Sequence, residues 1–171
     1  AYRRFSGQGR DYATAPNFDD NPHSVHGVGW LRVWEIVSQT ATDAVLRYRH
    51  TSDEHWPFAF EAQQRFELTP QSLGVRLIVI NTADVAQPVG LGWHPYFPKR
   101  ERSRLHIDLT ARWDSDATQL PVRSLAQPGI DGDVSGLGFD NCFDGWSGPA
   151  VIGDEQFTLQ LSSNLTHLVV Y

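Results

Sequence analysis

The sequence predicts an all-β protein whose antiparallel strands form a sandwich or a barrel. Short runs of alternating apolar and polar residues recur along the chain, separated by turn residues at intervals of about 8–12 residues. No window of three or more turns keeps apolar residues at the helical spacing without an interrupting glycine or proline. With 171 residues, 40% of them hydrophobic, the chain is long enough to form one domain with a substantial core.

Six stretches carry the strand pattern, and the turn residues SQTATD and TPQS separate the first two pairs of them. The fourth stretch is also enriched in β-branched residues, which favour extended backbone. Because the first two are joined by a short turn, we expect them to form a hairpin. In chain order the stretches are WLRVWEIV (30–37), AVLRYRH (44–50), FAFEAQQRFEL (58–68), LGVRLIVIN (73–81), FTLQL (157–161) and LTHLVVY (165–171).

Three other segments do not fit the strand pattern and are predicted to be loops. They are residues 13–29, the region after GWHPYFPKRERSR, and the Gly- and Asp-rich residues 127–149. Long loops on a rigid β scaffold are where binding residues concentrate. Each of the three contains one candidate site residue, and the candidates are His26, His94 and Asp140.

Composition excludes several classes of function. The net charge of −6 argues against nucleic-acid binding, which requires a basic face. The single cysteine, Cys142, excludes an internal disulfide framework and fits the cytoplasm. No apolar stretch approaches the roughly 20 residues of a membrane helix, so no membrane partner is expected. The first residues, AYRRFSGQGRDY, contain no apolar run and do not form a signal peptide.

His94 lies in GLGWHPYFPK, where the following proline restricts its backbone to an extended conformation. The neighbouring Trp93, Tyr96 and Phe97 offer flat apolar faces on which the C–H groups of a sugar could pack. An imidazole can also exchange a proton near neutral pH. Residue chemistry alone equally allows a buried structural histidine at a strand end.

The other two candidates lie in glycine-containing loops. His26, in NPHSVHGVGW, has the spacing of a metal pair with His23, but no cluster of further ligands lies beside it, and an exposed loop histidine is the alternative. Asp140, in LGFDNCFDGWSG, could accept hydrogen bonds from two sugar hydroxyls. The alternative for Asp140 and for nearby Asp144 is a turn aspartate that bonds its own backbone.

Taken in order, the motifs HGVGW with Trp34, GLGWHPYFP, FDNCFDGWSGPAVI and FTLQLSSNLTHLVVY resemble the aldose 1-epimerase (galactose mutarotase-like) family over nearly the whole chain. The resemblance implies a large, twisted antiparallel β-sandwich and an isomerase that acts on a free aldohexose without a cofactor or metal. It implies that His94 is the general acid that protonates the ring oxygen. His26 would contact the same region of the sugar, and Asp140 would bind its hydroxyls.

The chain departs from the family pattern at two positions. The family's general base is a glutamate in a Glu-Pro-like segment after the last strands, and none of the glutamates here matches it. The Asn-Arg pair near the family's start is also missing, although Arg3 and Arg4 lie close to its place. Because the chain also lacks methionine, we expect it to be an internal fragment, truncated at both ends and weakly active or inactive alone.

Two other functions stay open at this point. A non-catalytic carbohydrate-binding β-sandwich would keep the fold and the aromatic site without turnover. A metal-dependent β-barrel enzyme would use His23, His26 and His94 as ligands. A phosphate on the sugar would suit the basic side chains that follow the His94 motif, for which solvated surface charge is the alternative; they are Lys99, Arg100, Arg102 and Arg104.

Overall fold

The computed structural model describes residues 3–18 and 21–171, and nearly all of its regular structure is antiparallel β-strand. It divides into two compact units, Ala1–His94 and Pro95–Tyr171. The sequence predicts a single domain over residues 1–171, and this remains a prediction. Each unit is described by itself below.

The first unit contains a two-stranded hairpin and a four-stranded sheet. At the hairpin turn Gln8 and Gly9 both have positive φ, 53° and 72°, as a tight two-residue turn between twisted strands requires. In the larger sheet each strand pairs with the next one in the chain. The strands are β1 (Arg4–Gly7), β2 (Arg10–Ala13), β3 (Glu35–Gln39), β4 (Asp43–His50), β5 (Phe60–Leu68) and β6 (Leu73–Asn81).

An aromatic cluster joins the hairpin to the chain that enters β5. Phe5 stacks on Trp56 with 5.7 Å between ring centroids, and Tyr12 packs on Phe58 at 4.8 Å. Phe58 is only 3% exposed. Each such pair adds about 0.5–1.5 kcal/mol to the free energy gained by burying the rings. The hairpin is therefore attached to the sheet by ring packing.

A buried hydrogen-bond network fixes the loop between β4 and β5. His50 Nε2 lies 2.9 Å from the carbonyl oxygen of Trp56, and His50 Nδ1 lies 2.8 Å from the hydroxyl of Tyr48. Because a carbonyl oxygen only accepts, Nε2 carries the proton and Nδ1 accepts from the tyrosine. His50 is 5% exposed, so both of its ring nitrogens are satisfied inside the protein.

The second unit consists of two four-stranded antiparallel sheets, in the strand orders β10-β7-β12-β13 and β14-β11-β8-β9. A 3-10 turn, Val134–Gly136, follows β10. The strands are β7 (Arg104–Asp108), β8 (Ala111–Ser115), β9 (Pro121–Ala126), β10 (Ile130–Asp133), β11 (Asn141–Asp144), β12 (Ser147–Gly153), β13 (Thr158–Leu161) and β14 (His167–Val170).

A hydrophobic core lies within this second unit. Leu105 and Ile107 alternate with exposed residues along β7, and Ile107 is 2% exposed. Phe143 of β11, in the other sheet, is fully buried in the same cluster. Burial of each large side chain contributes about 1.5–3 kcal/mol to the free energy of unfolding. Because these side chains come from both sheets, their packing holds the two sheets together.

The all-β antiparallel class is confirmed, and five predicted strands contain or overlap β4, β5, β6, β13 and β14. The predicted strand over residues 30–37 is partly wrong. Gly29–Leu31 is a 3-10 turn and β3 begins only at Glu35, with a register shift inside the strand between Ile36 and Ser38. The alternation of apolar and polar residues there belongs partly to this turn, and the Trp30 and Trp34 indoles donate hydrogen bonds to backbone carbonyls of residues 25–29.

The loops predicted after GWHPYFPKRERSR and over residues 127–149 are also wrong, because β7 to β12 cross these regions. Several of these strands have only four residues, such as Ile130–Asp133 and Asn141–Asp144. Two inward side chains are too few to produce a visible period, and pairing with neighbouring strands determines their conformation. Within the described residues, no helix has the length and apolar character needed to cross a membrane.

Candidate functional site

The loop that carries His26 is closed by the side chain of Asn17. Its amide nitrogen donates to the carbonyl oxygens of Val25 and Gly27, at 3.0 and 2.7 Å, and its amide oxygen accepts from the backbone N–H of Val25 at 2.7 Å. We call these three hydrogen bonds the Asn17 clamp. They fix the backbone on both sides of His26.

The backbone at His26 itself is left-handed. His26 has a φ of 56° and Gly27 a φ of 68°. For a residue with a side chain this conformation costs about 1–2 kcal/mol, and histidine adopts it only in a supporting environment. The Asn17 clamp supplies that support, since it bonds the carbonyls that precede and follow His26.

Trp30 bonds the same two carbonyls. Its indole nitrogen donates to the carbonyl oxygens of Val25 and Gly27, at 3.2 Å each. The Trp34 indole donates to the carbonyl of Gly29 at 2.8 Å, which fixes the base of the 3-10 turn. The motif HGVGW therefore folds as one hydrogen-bonded turn with Trp30 beside His26.

The structure brings His26 and His94 together within the first unit. Their ring centroids lie 5.1 Å apart and their planes meet at 84°, edge to face. Burial lowers the pKa of His26, and the charge of His94 lowers it further. Although His26 as a residue is exposed, neighbouring atoms displace enough water to favour its neutral imidazole.

The segment that leads to His94, residues 82–94, is irregular but anchored on the sheet. Gln87 donates to the carbonyl of Ala59 at 2.9 Å and accepts from the Trp56 indole at 3.0 Å. Asn81 donates to the carbonyl of Val85 at 2.8 Å. These bonds position the approach to His94 without regular secondary structure.

The aromatic residues beside His94 in sequence have other neighbours. Trp93 packs edge-on against Phe66 of β5, at 6.0 Å between centroids. Tyr96 pairs with Tyr171 at 6.1 Å within the second unit. The aromatic ring in contact with His26 is Trp30, at 6.3 Å.

Trp30 and Phe18 form a second aromatic pair, with ring centroids 6.1 Å apart and both side chains 48% exposed. Large exposed aromatic rings next to polar side chains are typical of ligand sites. Asn17, Phe18 and Trp30 were not among the predicted site residues. Of these three, Trp30 could have been predicted, because it lies close to His26 in the motif HGVGW.

Asp140 lies in the second unit, directly before β11, and is exposed. Within the described chain its carboxylate accepts no hydrogen bond, so the self-bonded turn aspartate is not the arrangement observed. Asp140 lines a surface depression of about 550 Å³. The other lining residues are Asp114, Ser115, Val122, Arg123 and Asn141.

The neighbouring Asp144 is engaged by other side chains. One of its oxygens accepts from the Trp113 indole at 2.6 Å, and the other lies 2.9 Å from His167 Nε2. The side chain is 27% exposed. Of the two aspartates in FDNCFDG, only Asp140 therefore offers its carboxylate to a ligand.

Several other charged side chains form ion pairs with one another. Glu35 contacts Arg47 at 2.9 Å and Glu61 contacts Arg49 at 3.0 Å. Arg100 is paired with Asp154. Within the described residues no group of three or more His, Cys, Asp or Glu side chains is arranged to bind a metal ion. His23 accepts a hydrogen bond from the backbone N–H of Arg3 at 3.4 Å.

Comparison with known proteins agrees with the sequence motifs. The family model described as aldose 1-epimerase matches residues 1–171. YphB of Escherichia coli K12, a protein named as uncharacterized, is 33% identical over 162 residues, which cover 90% of this chain and 54% of YphB. The chain therefore spans about half the length of this relative.

Two solved structures have folds similar to that of this chain. The crystal structure of b2544 from Escherichia coli K12, named as a candidate aldose 1-epimerase, is 31% identical with a TM-score of 0.79, and the match covers 90% of this chain and 54% of b2544. Slr1438 of Synechocystis sp. PCC 6803 is 25% identical with a TM-score of 0.68, over 89% of this chain and 50% of Slr1438.

Proposed function

The chain belongs to the aldose 1-epimerase family, and we propose on that premise that the protein interconverts the α and β anomers of a free aldohexose. The contact between His26 and His94, with 5.1 Å between ring centroids, is the observation that carries the proposal. It joins two imidazoles from separate motifs at one exposed position. Proton transfer near neutral pH is the chemistry for which histidine is suited.

Anomer exchange needs only proton transfers. A base removes the proton of the C1 hydroxyl while an acid protonates the ring oxygen. The bond between C1 and the ring oxygen breaks and leaves an open-chain aldehyde. After rotation about the bond to C1, the reverse transfers close the ring on the other face. Since no electrons are exchanged with a second molecule, the reaction requires no cofactor.

We assign the acid role to His94. The lowered pKa of His26 keeps that ring neutral near pH 7, so the two rings do not both carry a charge at 5.1 Å. A neutral His26 can donate one hydrogen bond and accept another, which suits contact with the sugar near its ring oxygen. His94 would then donate its proton to the ring oxygen of the sugar.

The remaining contacts follow from the exposed groups. The indole face of Trp30, fixed beside His26, would pack against the C–H groups of the sugar. The carboxylate of Asp140, which accepts no hydrogen bond within the described chain, would accept from sugar hydroxyls. We assign the role of general base to none of the described residues.

Polarimetry on freshly dissolved α-D-galactose and α-D-glucose tests this proposal. We expect the full-length protein to accelerate the change in optical rotation, and His94→Gln to lower kcat by about 10²–10⁴-fold. His106→Gln, a change to an exposed histidine of β7, is the matched control and should leave kcat unchanged.

An unaccelerated rotation with the full-length protein on both sugars would contradict an isomerase. Binding of these sugars without turnover would then support a non-catalytic carbohydrate-binding module, which the exposed Trp30 and Phe18 rings also fit. Equal kcat values for His94→Gln and the unmodified protein would reject His94 as the acid.

A further inference from the structure

Asn17 spans the loop in which His26 lies. The clamp joins position 17 to positions 25 and 27, so it closes the chain over eight and ten residues with three hydrogen bonds of 2.7–3.0 Å. Both donors and the acceptor of its amide are used on the backbone beside His26. The amide therefore holds the backbone around His26 in one conformation.

We infer that Asn17 is a positioning residue for His26, and that its side chain places the imidazole against His94. This inference rests on the proposed function for its catalytic meaning, although the geometry stands without it. Asn17 itself is assigned no contact with the sugar. It acts through the backbone that carries His26.

The geometry explains why a side chain is needed here. His26 is held at a φ of 56°, a conformation that an unsupported histidine leaves readily for extended backbone. The direction of its Cβ depends on that φ. A change to extended backbone would turn the imidazole away from the position 5.1 Å from His94. The Asn17 clamp prevents this by bonding the peptide groups on both sides.

Trp30 supports the same carbonyls but cannot replace Asn17. Its indole has a single N–H, shared at 3.2 Å between the oxygens of Val25 and Gly27. It offers no acceptor to the Val25 N–H, which donates to the Asn17 amide oxygen at 2.7 Å. Loss of the asparagine amide therefore leaves one longer, shared bond and, among the residues that the structure describes, no acceptor for that N–H.

The first test is a double-mutant cycle on kcat, with Asn17→Ala, His26→Ala and both together in the full-length protein. We expect Asn17→Ala to lower kcat roughly 10–100-fold, since displacement of a catalytic group by about 1 Å has this effect. In the His26→Ala background, Asn17→Ala should lower kcat by less than about twofold, because the imidazole that Asn17 positions is already absent.

The matched control is Asn21→Ala. Asn21 lies in the same loop and accepts from the backbone N–H of His23 at 2.9 Å, a bond other than the three of the clamp. Its substitution should change kcat less than about twofold. Multiplicative effects of Asn17→Ala and His26→Ala on kcat would overturn the inference, because Asn17 would then act independently of His26.

A second readout does not require turnover. The pKa of His26, measured by NMR from its ring protons, should rise toward 6.5 in Asn17→Ala as the ring moves away from His94 and into water. An unchanged His26 pKa in a folded Asn17→Ala variant would reject the inference. An absence of mutarotation in the unmodified protein would instead reject the proposed function and leave this measurement valid.

Discussion

The ring of His26 meets the ring of His94 edge to face, at 84° and with 5.1 Å between centroids. At this distance the charge of His94 lowers the pKa of His26, in addition to the effect of burial. A change at His94 is therefore measurable in the titration of His26.

A substitution at His94 should change the pKa of His26. Burial and the charge of His94 both lower that pKa from 6.5, and His94→Gln removes the second cause. We expect the His26 pKa to rise in the variant but to stay below 6.5, since burial remains. NMR titration of the ring protons measures it. A pKa unaffected by His94→Gln would mean that the two rings are not in contact in solution.

The same shift predicts a dependence of stability on pH. Because the pKa of His26 is lower in the folded protein than in the unfolded chain, the unfolded chain binds more protons as pH falls below 6.5. The stabilisation is present above pH 6.5 and is lost as pH falls through the folded pKa. Denaturant unfolding of His26→Gln should show a smaller loss over this range than the unmodified protein.

Asp140→Asn should weaken sugar binding more than it slows turnover. The change keeps an acceptor oxygen but removes the charge, and charge-assisted hydrogen bonds contribute about 1.5–3 kcal/mol. We expect KM to rise roughly tenfold with little change in kcat. Asp131→Asn is the control, since that exposed carboxylate lies 3.4 Å from Arg104 on β7. Equal KM values for both variants would exclude Asp140 from the site.

Tyr48→Phe should destabilise the first unit. It leaves the buried Nδ1 of His50 without its donor, which costs about 1–3 kcal/mol in the free energy of unfolding. Tyr12→Phe is the control, because within the described residues the Tyr12 hydroxyl makes no hydrogen bond. Urea unfolding compares the two variants, and equal losses would show that the His50 network adds nothing to stability.

Two glycines in the second unit separate backbone strain from side-chain collision. Gly145 and Gly148 both have a φ of 69°, so alanine costs about 1 kcal/mol at either position. A methyl group at Gly145 would also collide with Thr110 Oγ1 and lie 2.9 Å from its Cβ, whereas at Gly148 the nearest atom is 3.9 Å away. We expect Gly145→Ala to lose about 1–3 kcal/mol more than Gly148→Ala in urea unfolding.

The fold class was predictable because β4, β5 and β6 are long enough for their side-chain alternation and turns to be visible in sequence. The strands of the second unit were missed where they are short and rich in glycine and aspartate. Ile130–Asp133 forms a strand because β7 pairs with it, and no local pattern contains that information.

Of the candidate site, His26 and His94 could be singled out from the sequence because they lie in compact motifs with glycine or proline beside them. Asn17 could not be found in this way. Its role depends on hydrogen bonds to residues eight and ten positions later, which follow from the folded loop and not from sequence spacing. The sequence indicated Trp93, Tyr96 and Phe97 as aromatic faces beside His94, and it did not single out Trp30, whose ring lies beside that of His26.

The Asn17 clamp fixes the base of its loop at Val25 and Gly27 and sets no requirement on the length of the loop. The hydrogen bonds between Asn17 and Val25 close a ring of chain at its base. Lengthening such a ring costs little, because loop entropy grows only with the logarithm of its length. Insertions and substitutions there could diversify what the protein recognises while its imidazole stays in register, which makes this ring a natural place to begin redesigning specificity.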